Sequence, residues 1–311
     1  MRYLFQAIRQ FLQTVRKKTS RLLLRGIYAF ASEDKTLAAE RRLRGREQVA
    51  KLNRADVVFV SFGKSGRTWL RVMLSRLFQL RNGMPDKSLI GFDNYHNLDA
   101  TIPKMFFTHE NYVKDFTGNV DNKSDYYRHQ VVLMARDPRD VAVSQYFQWK
   151  FRMKDAKRTI NDYPPTGSDI SIFDFVFNHG AGLDKVINFM NLWAAEADKI
   201  SRFHLLRYED LRADPQQAME KLVAFMGIGA ESAEVRTAVD YGAYENMKKM
   251  EEKQSFRLSG GRMMPKDRDN PDSYKVRRAK VGGYRDYFDD DQLALIDARV
   301  ANDLDPIFGY N

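Results

Sequence analysis

Four short apolar runs, separated by segments of helical period, set the strongest limit on how this 311-residue chain can fold. The runs are rich in β-branched and aromatic residues, and they are 56–61 (DVVFVS), 104–108 (KMFFT), 130–135 (QVVLMA) and 202–207 (RFHLLR). Helical periodicity is found at 67–80, 138–150, 184–200, 210–226 and 290–303. Unbroken apolar strands alternating with helices are typical of a parallel sheet that is covered on both faces. We therefore predict an α/β fold with a mostly parallel central sheet flanked by helices, whose ligands bind beyond the carboxyl ends of the strands.

Composition excludes some kinds of chemistry. The chain has no cysteine, so disulfides, thiolate metal sites and cysteine nucleophiles are all ruled out. A disulfide-free chain is typical of the cytoplasm, which we predict as its location. The net charge of +10 is uneven, because residues 1–32 hold seven Arg or Lys and no Asp or Glu. The remainder is nearly balanced, which argues against a nucleic-acid-binding protein.

The basic start of the chain has the pattern of an amphipathic helix. Its apolar residues recur every three or four positions, at Leu4, Ile8, Phe11, Leu12 and Val15, then at Leu22, Leu23, Ile27 and Phe30. Charges interrupt every apolar run well before the roughly 20 residues that a bilayer requires. Three interpretations stay open: peripheral binding to an anionic membrane surface, an organellar transit peptide, and a helix packed on its own domain. We predict a helical extension over 1–50 and one main domain over 51–311.

The first candidate site lies between the strand at 56–61 and the helix that follows. Gly63 and Gly66 bracket Lys64 and Ser65 and allow a tight turn, which would expose backbone amides at a helix start to a phosphate. The triphosphate pattern G-x-x-x-x-G-K-[ST] would need its first Gly at Val58, in mid-strand, so the turn suits a single 5′-phosphate better.

A second candidate anion site follows the strand at 130–135. Arg136 stands at the carboxyl end of this strand, Asp137 and Pro138 suit the start of a helix, and Ser144 lies two turns into it. On their own, Arg136 and Ser144 are equally consistent with an ion-pairing arginine and a solvated serine. Beside the first turn, they indicate a second anion clamp.

These segments carry a family resemblance that extends over about residues 55 to 290. FGKSGRTWL resembles the 5′-phosphosulfate loop of the sulfotransferases that use 3′-phosphoadenosine 5′-phosphosulfate (PAPS), usually written PKSGTTW, and ARDPRDVAVSQYF resembles their 3′-phosphate segment. FFTHE, LLRYEDL and VRRAKVGGYRDYF resemble three shorter family motifs in the expected order. The resemblance implies a P-loop-like three-layer fold, PAPS as cofactor, adenosine 3′,5′-diphosphate (PAP) as product, and transfer of a sulfuryl group to an acceptor hydroxyl.

The resemblance also implies roles for individual residues. The 5′ end of PAPS would be held by Lys64, Ser65, Gly66, Arg67, Thr68 and Trp69, and its 3′-phosphate by Arg136, Ser144, Arg277 and Arg278. Trp69, Tyr208 and Tyr244 would surround the adenine. Lys64 would stabilise the leaving group, and His109, one of five histidines, would take the acceptor proton. The mechanism requires no metal, and none is evident in the sequence.

Some positions depart from the family pattern or extend it. Phe107 stands where the family often has Lys, Arg67 where it has a small Thr, and Ala279 where the lid segment has Gly. Residues 251–285 are rich in Gly, Pro and charge, and we predict a lid-like loop there. The acceptor pocket is expected at 81–103 and 151–183. Six aromatic residues named for its lining are as consistent with a core as with a pocket wall, and they are Tyr95, His96, Phe147, Trp149, Phe173 and Phe177.

Two other classes of function stay open at this stage. One is a P-loop nucleotide kinase or triphosphatase, which the missing Gly at Val58 disfavours. The other is a non-catalytic anion-binding module at a membrane surface. For the sulfotransferase, a lipid or glycan hydroxyl is the favoured acceptor if residues 1–32 hold the protein at a membrane, and a small-molecule acceptor otherwise.

Overall fold

The computed structural model describes residues 2–256 and 263–310, without the side chains of residues 2–11, 13 and 14. Four strands and twelve α-helices are present in this part of the chain. In chain order they are α1 (Arg2–Ile27), α2 (Glu33–Leu52), β1 (Val57–Ser61), α3 (Arg67–Asn82), β2 (Met105–Thr108), α4 (Val113–Thr117), β3 (Gln130–Ala135), α5 (Pro138–Phe147), α6 (Asp155–Ile160), α7 (Leu183–Ala194), β4 (Arg202–Arg207), α8 (Tyr208–Ala213), α9 (Pro215–Phe225), α10 (Ser232–Tyr241), α11 (Tyr244–Glu252) and α12 (Asp290–Asp303).

The four strands form one parallel sheet in the order β2-β1-β3-β4. Each strand lies within one residue of its predicted range, and the predicted α/β class is confirmed. The register pairs Val60 with Thr108, Ser61 with Met134 and Ala135 with Arg207. The carboxyl ends of all four strands therefore meet at one edge of the sheet, which is where the predicted site residues begin.

The two faces of the sheet explain why the strands read as unbroken apolar runs. Val58 and Val60 point into a core that includes helices α5 and α7, whereas Val57 and Phe59 point into a second core with α3, α9 and α10. All five residues of β1 are buried. A strand that is covered on both faces needs apolar residues at every position instead of at every second one.

The first two helices lie beside the β2 edge of the sheet. Helix α2 packs against α4 and β2. The approach is close at Gly45, where an added Cβ would lie 2.2 Å from the carbonyl oxygen of Tyr112. Ion pairs join α1 to α2, with Arg21 3.2 Å from Glu47. The separation of residues 1–50 from the main domain stays a prediction.

Several helix boundaries differ from the predicted ones. The segment 210–226 is not one helix, because Pro215 has no N–H to continue α8 and the side chain of Asp214 accepts from Gln217 N to begin α9. Helix α5 ends at Phe147 and continues as a π-helical turn, and α7 ends at Ala194. Helices α10 and α11 were not predicted from the sequence.

Candidate active site

The turn between β1 and α3 has the shape that its glycines predict. Gly66 has φ of +86° and directly precedes the first residue of α3. A Cβ at Gly66 would lie 2.7 Å from Cδ2 of Tyr208, so glycine is required for space as well as for conformation. Lys64 also has a positive φ, of +79°. Positive φ is costly for a residue with a side chain, so the turn holds Lys64 in a strained conformation.

Lys64 lies among other cations. Burial in the site lowers its pKa to about 7, and the charges of Arg152, Arg136 and Arg277 act in the same direction, against Glu251. The three arginines pair with Asp140, Glu251 and Asp272, and a bound anion would stabilise the charge that remains at Lys64. This arrangement is suited to a group with several negative charges.

Arg136, at the end of β3, contacts both the turn and the lid. Its guanidinium donates to the carbonyl oxygens of Lys64 (3.3 Å) and Lys280 (3.2 Å) and to the Asp140 carboxylate (3.2 Å). It also lies 4.4 Å from the ring centroid of Tyr208. Arg136 Nε is buried and has no hydrogen-bond partner among the described residues. A buried donor without a partner is costly, and an oxyanion in the cavity would satisfy it.

Aromatic side chains form a slot beside the turn. Trp69, on the first turn of α3, packs edge to face on Tyr208 with 5.8 Å between ring centroids. The Trp69 indole N–H donates to Gly242 O at 2.7 Å, which fixes the ring. Tyr244 follows at the start of α11, and its hydroxyl donates to Arg277 O at 3.1 Å. The slot therefore presents flat apolar surface next to the cationic turn.

His109 follows β2 and faces the turn from the other side. Its Nδ1 lies 2.8 Å from the carbonyl oxygen of Ser61, so Nδ1 carries the proton and donates, and Nε2 is the acceptor. Nε2 lies 2.6 Å from Nη2 of Arg67, which donates to it. Burial and the Arg67 charge hold the pKa of His109 well below its usual range. The imidazole is therefore neutral at physiological pH, with a defined tautomer.

One cavity of about 1320 Å³ joins these groups. Twelve of the predicted site residues form part of its wall, and they are Lys64, Gly66, Arg67, Thr68, Trp69, His109, Arg136, Ser144, Tyr208, Tyr244, Arg277 and Arg278. Ser65 is the exception, because it is buried and its side chain does not reach the wall. The structure thus brings together residues that lie more than 200 positions apart in the sequence.

The lid-like loop over 251–285 stays a prediction, and its residues 257–262 lie outside the described residues. The part that lines the cavity, which we call the lid segment, is anchored by two buried carboxylates that the sequence analysis missed. Asp140 accepts from the backbone amides of Gly282 (3.0 Å) and Tyr284 (2.9 Å), and Glu251 accepts from those of Lys275 (2.8 Å) and Val276 (2.7 Å). Asp140 lies on the first turn of α5, four residues after Arg136, and the two side chains pair at 3.2 Å, so their closeness in the sequence could have identified it. The sequence gives no comparable signal for Glu251.

Arg277 and Arg278 lie on the lid, although they also have protein partners. Arg277 donates to the Tyr287 hydroxyl at 2.7 Å and stacks on Phe147 at 3.5 Å from the ring centroid. Arg278 pairs with Asp286. A cation that was not predicted, Arg152, lowers the pKa of Lys64 more than Arg136 or Arg277 does, and its Nε is buried without a hydrogen-bond partner in the described part of the chain.

The departures from the family pattern have structural counterparts. Phe107 stacks on Phe59 at 4.7 Å, and the Arg71 guanidinium lies over its ring, so an aromatic side chain with a neighbouring cation occupies this position. Ala279 has φ of +49°, in the left-handed region that favours glycine. That conformation explains why a glycine suits this place in the lid.

The expectation for the acceptor wall is only partly correct. None of the six aromatic residues named for it lines the cavity. Tyr95 and Trp149 are buried in the two cores, Phe147, Phe173 and Phe177 pack against one of them, and His96 bonds to Ile102 O. Residues 81–103 contribute nothing to the wall, whereas part of 151–183 does, including Lys157 and Tyr163. Apolar content alone does not distinguish a core from a pocket.

No group of three or more His, Asp or Glu side chains within 2–256 and 263–310 is arranged to hold a metal ion. No helix in the described part of the chain is long and apolar enough to cross a membrane.

The fold and the site define a class: a P-loop-like α/β protein whose cationic turn, second arginine site and aromatic slot share one cavity. The chain belongs to the sulfotransferase domain family, whose profile matches residues 54–306.

The chain is similar to known sulfotransferases at low sequence identity. Cytosolic sulfotransferase 3 of Arabidopsis thaliana is 26% identical over 180 residues, which is 55% of this chain and 53% of that protein. The match therefore spans about half of that relative. Cytosolic sulfotransferase 12 of the same plant is 23% identical over 79% of this chain and 76% of its own length. The crystal structure of mouse sulfotransferase SULT7A1 complexed with PAP shares the fold, with a TM-score of 0.54, 19% identity, and coverage of 83% of this chain and 89% of that one.

Proposed function

We propose that the protein transfers a sulfuryl group from PAPS to an acceptor hydroxyl. The observation that carries this proposal is the cluster of Lys64, Arg136 and Arg152 around one strained turn, next to an aromatic slot and a histidine of defined tautomer. Family membership and the PAP in the mouse structure agree with it. When bound, PAPS supplies the activated sulfuryl group.

The residues present fit this cofactor. A bound anion would stabilise the Lys64 ammonium, whose pKa is lowered. It would also accept hydrogen bonds from the Nε atoms of Arg136 and Arg152, which are buried and have no partner among the described residues. In our proposal Lys64 and Thr68 hold the 5′ end, and Arg136, Ser144, Arg277 and Arg278 the 3′-phosphate. Trp69, Tyr208 and Tyr244 enclose the base. Lys64 compensates the negative charge that develops at the 5′ end during transfer.

His109 is proposed as the general base. Its Nδ1–H is fixed on Ser61 O, which leaves Nε2 as the nitrogen that can accept a proton, and His109 lines the cavity. Arg67 now donates to Nε2, and an acceptor hydroxyl would take its place. The displaced guanidinium would then be next to the transferring group, where a positive charge is useful. Bound PAPS, as an anion, raises the pKa of His109 towards the value that a base needs.

The membrane part of the proposal is based on helix α1. Several of its large apolar side chains are exposed, including Leu22 (72%) and Ile27 (80%). Arg16 and Lys18 lie exposed on the same helix. An amphipathic helix of this kind binds in the headgroup region of an anionic bilayer. We propose peripheral attachment on a cytoplasmic membrane face, with a lipid or glycan hydroxyl as acceptor.

A single substitution tests the chemistry. His109→Ala should lower the rate of PAP formation by about 10² or more, the usual contribution of a general base. Binding of PAP, measured by isothermal titration calorimetry, should stay within a few-fold of wild type, because His109 is not among the proposed nucleotide ligands. ATP with Mg²⁺ serves as the control ligand. Tight binding of ATP alone, or full activity of His109→Ala, would contradict the proposal.

A further inference from the structure

One half of the cavity carries positive charge that a nucleotide does not account for. Nineteen Lys and Arg line the whole cavity, against six Asp and Glu. The cations proposed for the phosphates are Lys64 after β1, Arg136 after β3, and Arg277 and Arg278 on the lid segment. Beyond His109, on the side of the edge strand β2 where α1, α2 and α4 pack, lies a second group, which we call the acceptor-side cations: Lys17, Arg41, Lys51, Lys114, Lys157 and Lys185.

Several of these cations are positioned by neutral backbone groups. Lys185 donates to Asn161 O at 3.0 Å, and Arg41 donates to Ile160 O at 3.0 Å. Burial lowers the pKa of Lys185, and the charges of Lys114 and Arg41 add to that effect, against Asp162. The carbonyl contacts orient these side chains into the cavity wall. Arg41 also pairs with Asp162 (2.7 Å), whereas Lys185 has no carboxylate within 4.0 Å among the described residues.

A second pair of cations lies at the outer end. Burial lowers the pKa of Lys51 to about 8, and the nearby charge of Lys17 contributes in the same direction. The two side chains come from α2 and α1 respectively. Two partly buried ammonium groups side by side are stabilised when an anion binds to both.

Five described carboxylates line this side, and all of them except Asp115 form an ion pair; burial raises the pKa of Asp115 against the charges of Lys114 and Arg41. Glu47 pairs with Arg21 (3.2 Å), Glu110 with Lys123 (2.7 Å), Asp162 with Arg41 (2.7 Å) and Asp184 with Arg299 (2.6 Å). Within the described residues, Lys51, Lys114 and Lys185 form no ion pair with a carboxylate within 4.0 Å. The positive charge of this half of the cavity therefore faces its interior.

We infer that the acceptor is itself an anion: a hydroxyl-bearing molecule with a carboxylate, sulfate or phosphate group that Lys114, Lys157 and Lys185 bind while its hydroxyl faces His109. The charges of Lys157 and Lys275 act on His109, so this cationic region reaches the reacting position. The inference rests on the proposed function, since it assigns the second substrate of the same site. Acidic sugars and anionic lipid headgroups share this chemistry.

Binding of two matched glycosides tests the inference without catalysis. PAP-saturated protein is titrated with 4-nitrophenyl β-D-glucuronide and with 4-nitrophenyl β-D-glucoside, which differ in one carboxylate. The glucuronide should bind at least about tenfold more tightly, as expected for a charge-assisted contact. Equal affinities would overturn the inference.

Variants locate the effect. Lys114→Gln/Lys185→Gln should weaken glucuronide binding about tenfold and leave glucoside binding within about twofold. Lys157→Gln provides a second variant on an exposed position if the double variant does not fold. Lys221→Gln on α9 removes one charge outside the cavity and should change neither affinity. An unchanged preference for the glucuronide in both cavity variants would refute the assignment.

The rate of PAP formation from PAPS shows which kind of anionic acceptor is used. It is measured with four acceptors: phosphatidylinositol and glucosylceramide, each in phosphatidylcholine vesicles, and the two glycosides. Faster turnover of phosphatidylinositol than of glucosylceramide indicates a lipid headgroup. Faster turnover of the glucuronide than of the glucoside indicates an acidic sugar. A faster rate with the neutral member of each pair overturns the inference. Failure of the proposed function can be distinguished from failure of this inference, because in the first case PAP does not bind. The glycoside titrations can then be repeated without PAP.

Discussion

The lowered pKa of Lys64 leads to a quantitative prediction about nucleotide binding. Burial and the charges of Arg152, Arg136 and Arg277 hold that pKa at about 7 before a ligand binds. A phosphate at the turn favours the charged ammonium, so binding raises the pKa and the protein takes up a proton. Affinity must then fall as the pH rises above 7.

The size of the effect follows from the pKa. Between pH 7 and pH 9 the protonated fraction of Lys64 before binding falls from about one half to about 1%, so the Kd of PAP should rise about 50-fold, or about 2.3 kcal/mol. Calorimetric titration with PAP at pH 7, 8 and 9, in two buffers of different ionisation enthalpy, measures both the affinity and the proton uptake.

Lys64→Arg is the matched control. Arginine keeps its charge throughout this range, so the variant should show a nearly flat Kd and no proton uptake from this position. A Kd of the wild-type protein that does not change between pH 7 and pH 9 would refute the reasoning. So would an equal slope in Lys64→Arg, because another group would then be responsible.

Three further substitutions test how the site is held. Gly66→Ala should destabilise the protein by about 1–3 kcal/mol in urea unfolding and weaken PAP binding at least about tenfold, because its Cβ would meet Tyr208 at positive φ; wild-type behaviour would show that the turn is not constrained. Ala279→Gly should leave stability unchanged or raise it by up to about 1 kcal/mol, whereas Ala294→Gly, in a regular helix, should cost about 1 kcal/mol; equal losses would contradict a strained lid. Asp140→Asn should expose the lid to proteolysis and weaken PAP binding about tenfold, since a charged acceptor of two lid amides is lost; unchanged cleavage would argue against this anchor.

The sequence was sufficient to predict those features that depend on a few consecutive residues. The strands could be predicted because both faces of the sheet are buried, which requires an apolar residue at every position. The turn at Gly63 to Gly66 could be predicted because left-handed backbone favours glycine, and Gly66 does have positive φ. Both features depend on a few consecutive residues.

Features that depend on contacts between distant parts of the chain were missed. The pairing of Arg67 with His109, the Glu251 anchor and the approach of Arg152 to Lys64 each join segments that are far apart in sequence. The aromatic residues expected to line the pocket were misplaced for a related reason. In the sequence, a tryptophan such as Trp149 looks the same whether it lies in a core or in a pocket wall, and the structure places it in a core. The acceptor-side cations are spread over five helices, so no local motif announces them.

The central claim is that the turn at Lys64 and the arginine at the end of β3 bind the two phosphate ends of one nucleotide. A crystal structure of the protein with PAP tests this most directly. We predict that the Lys64 ammonium and Arg136 Nε lie within about 3 Å of oxygens on different phosphate groups of the same molecule, with its adenine between Trp69 and Tyr244. PAP bound elsewhere, or both side chains turned away from it, would contradict the account.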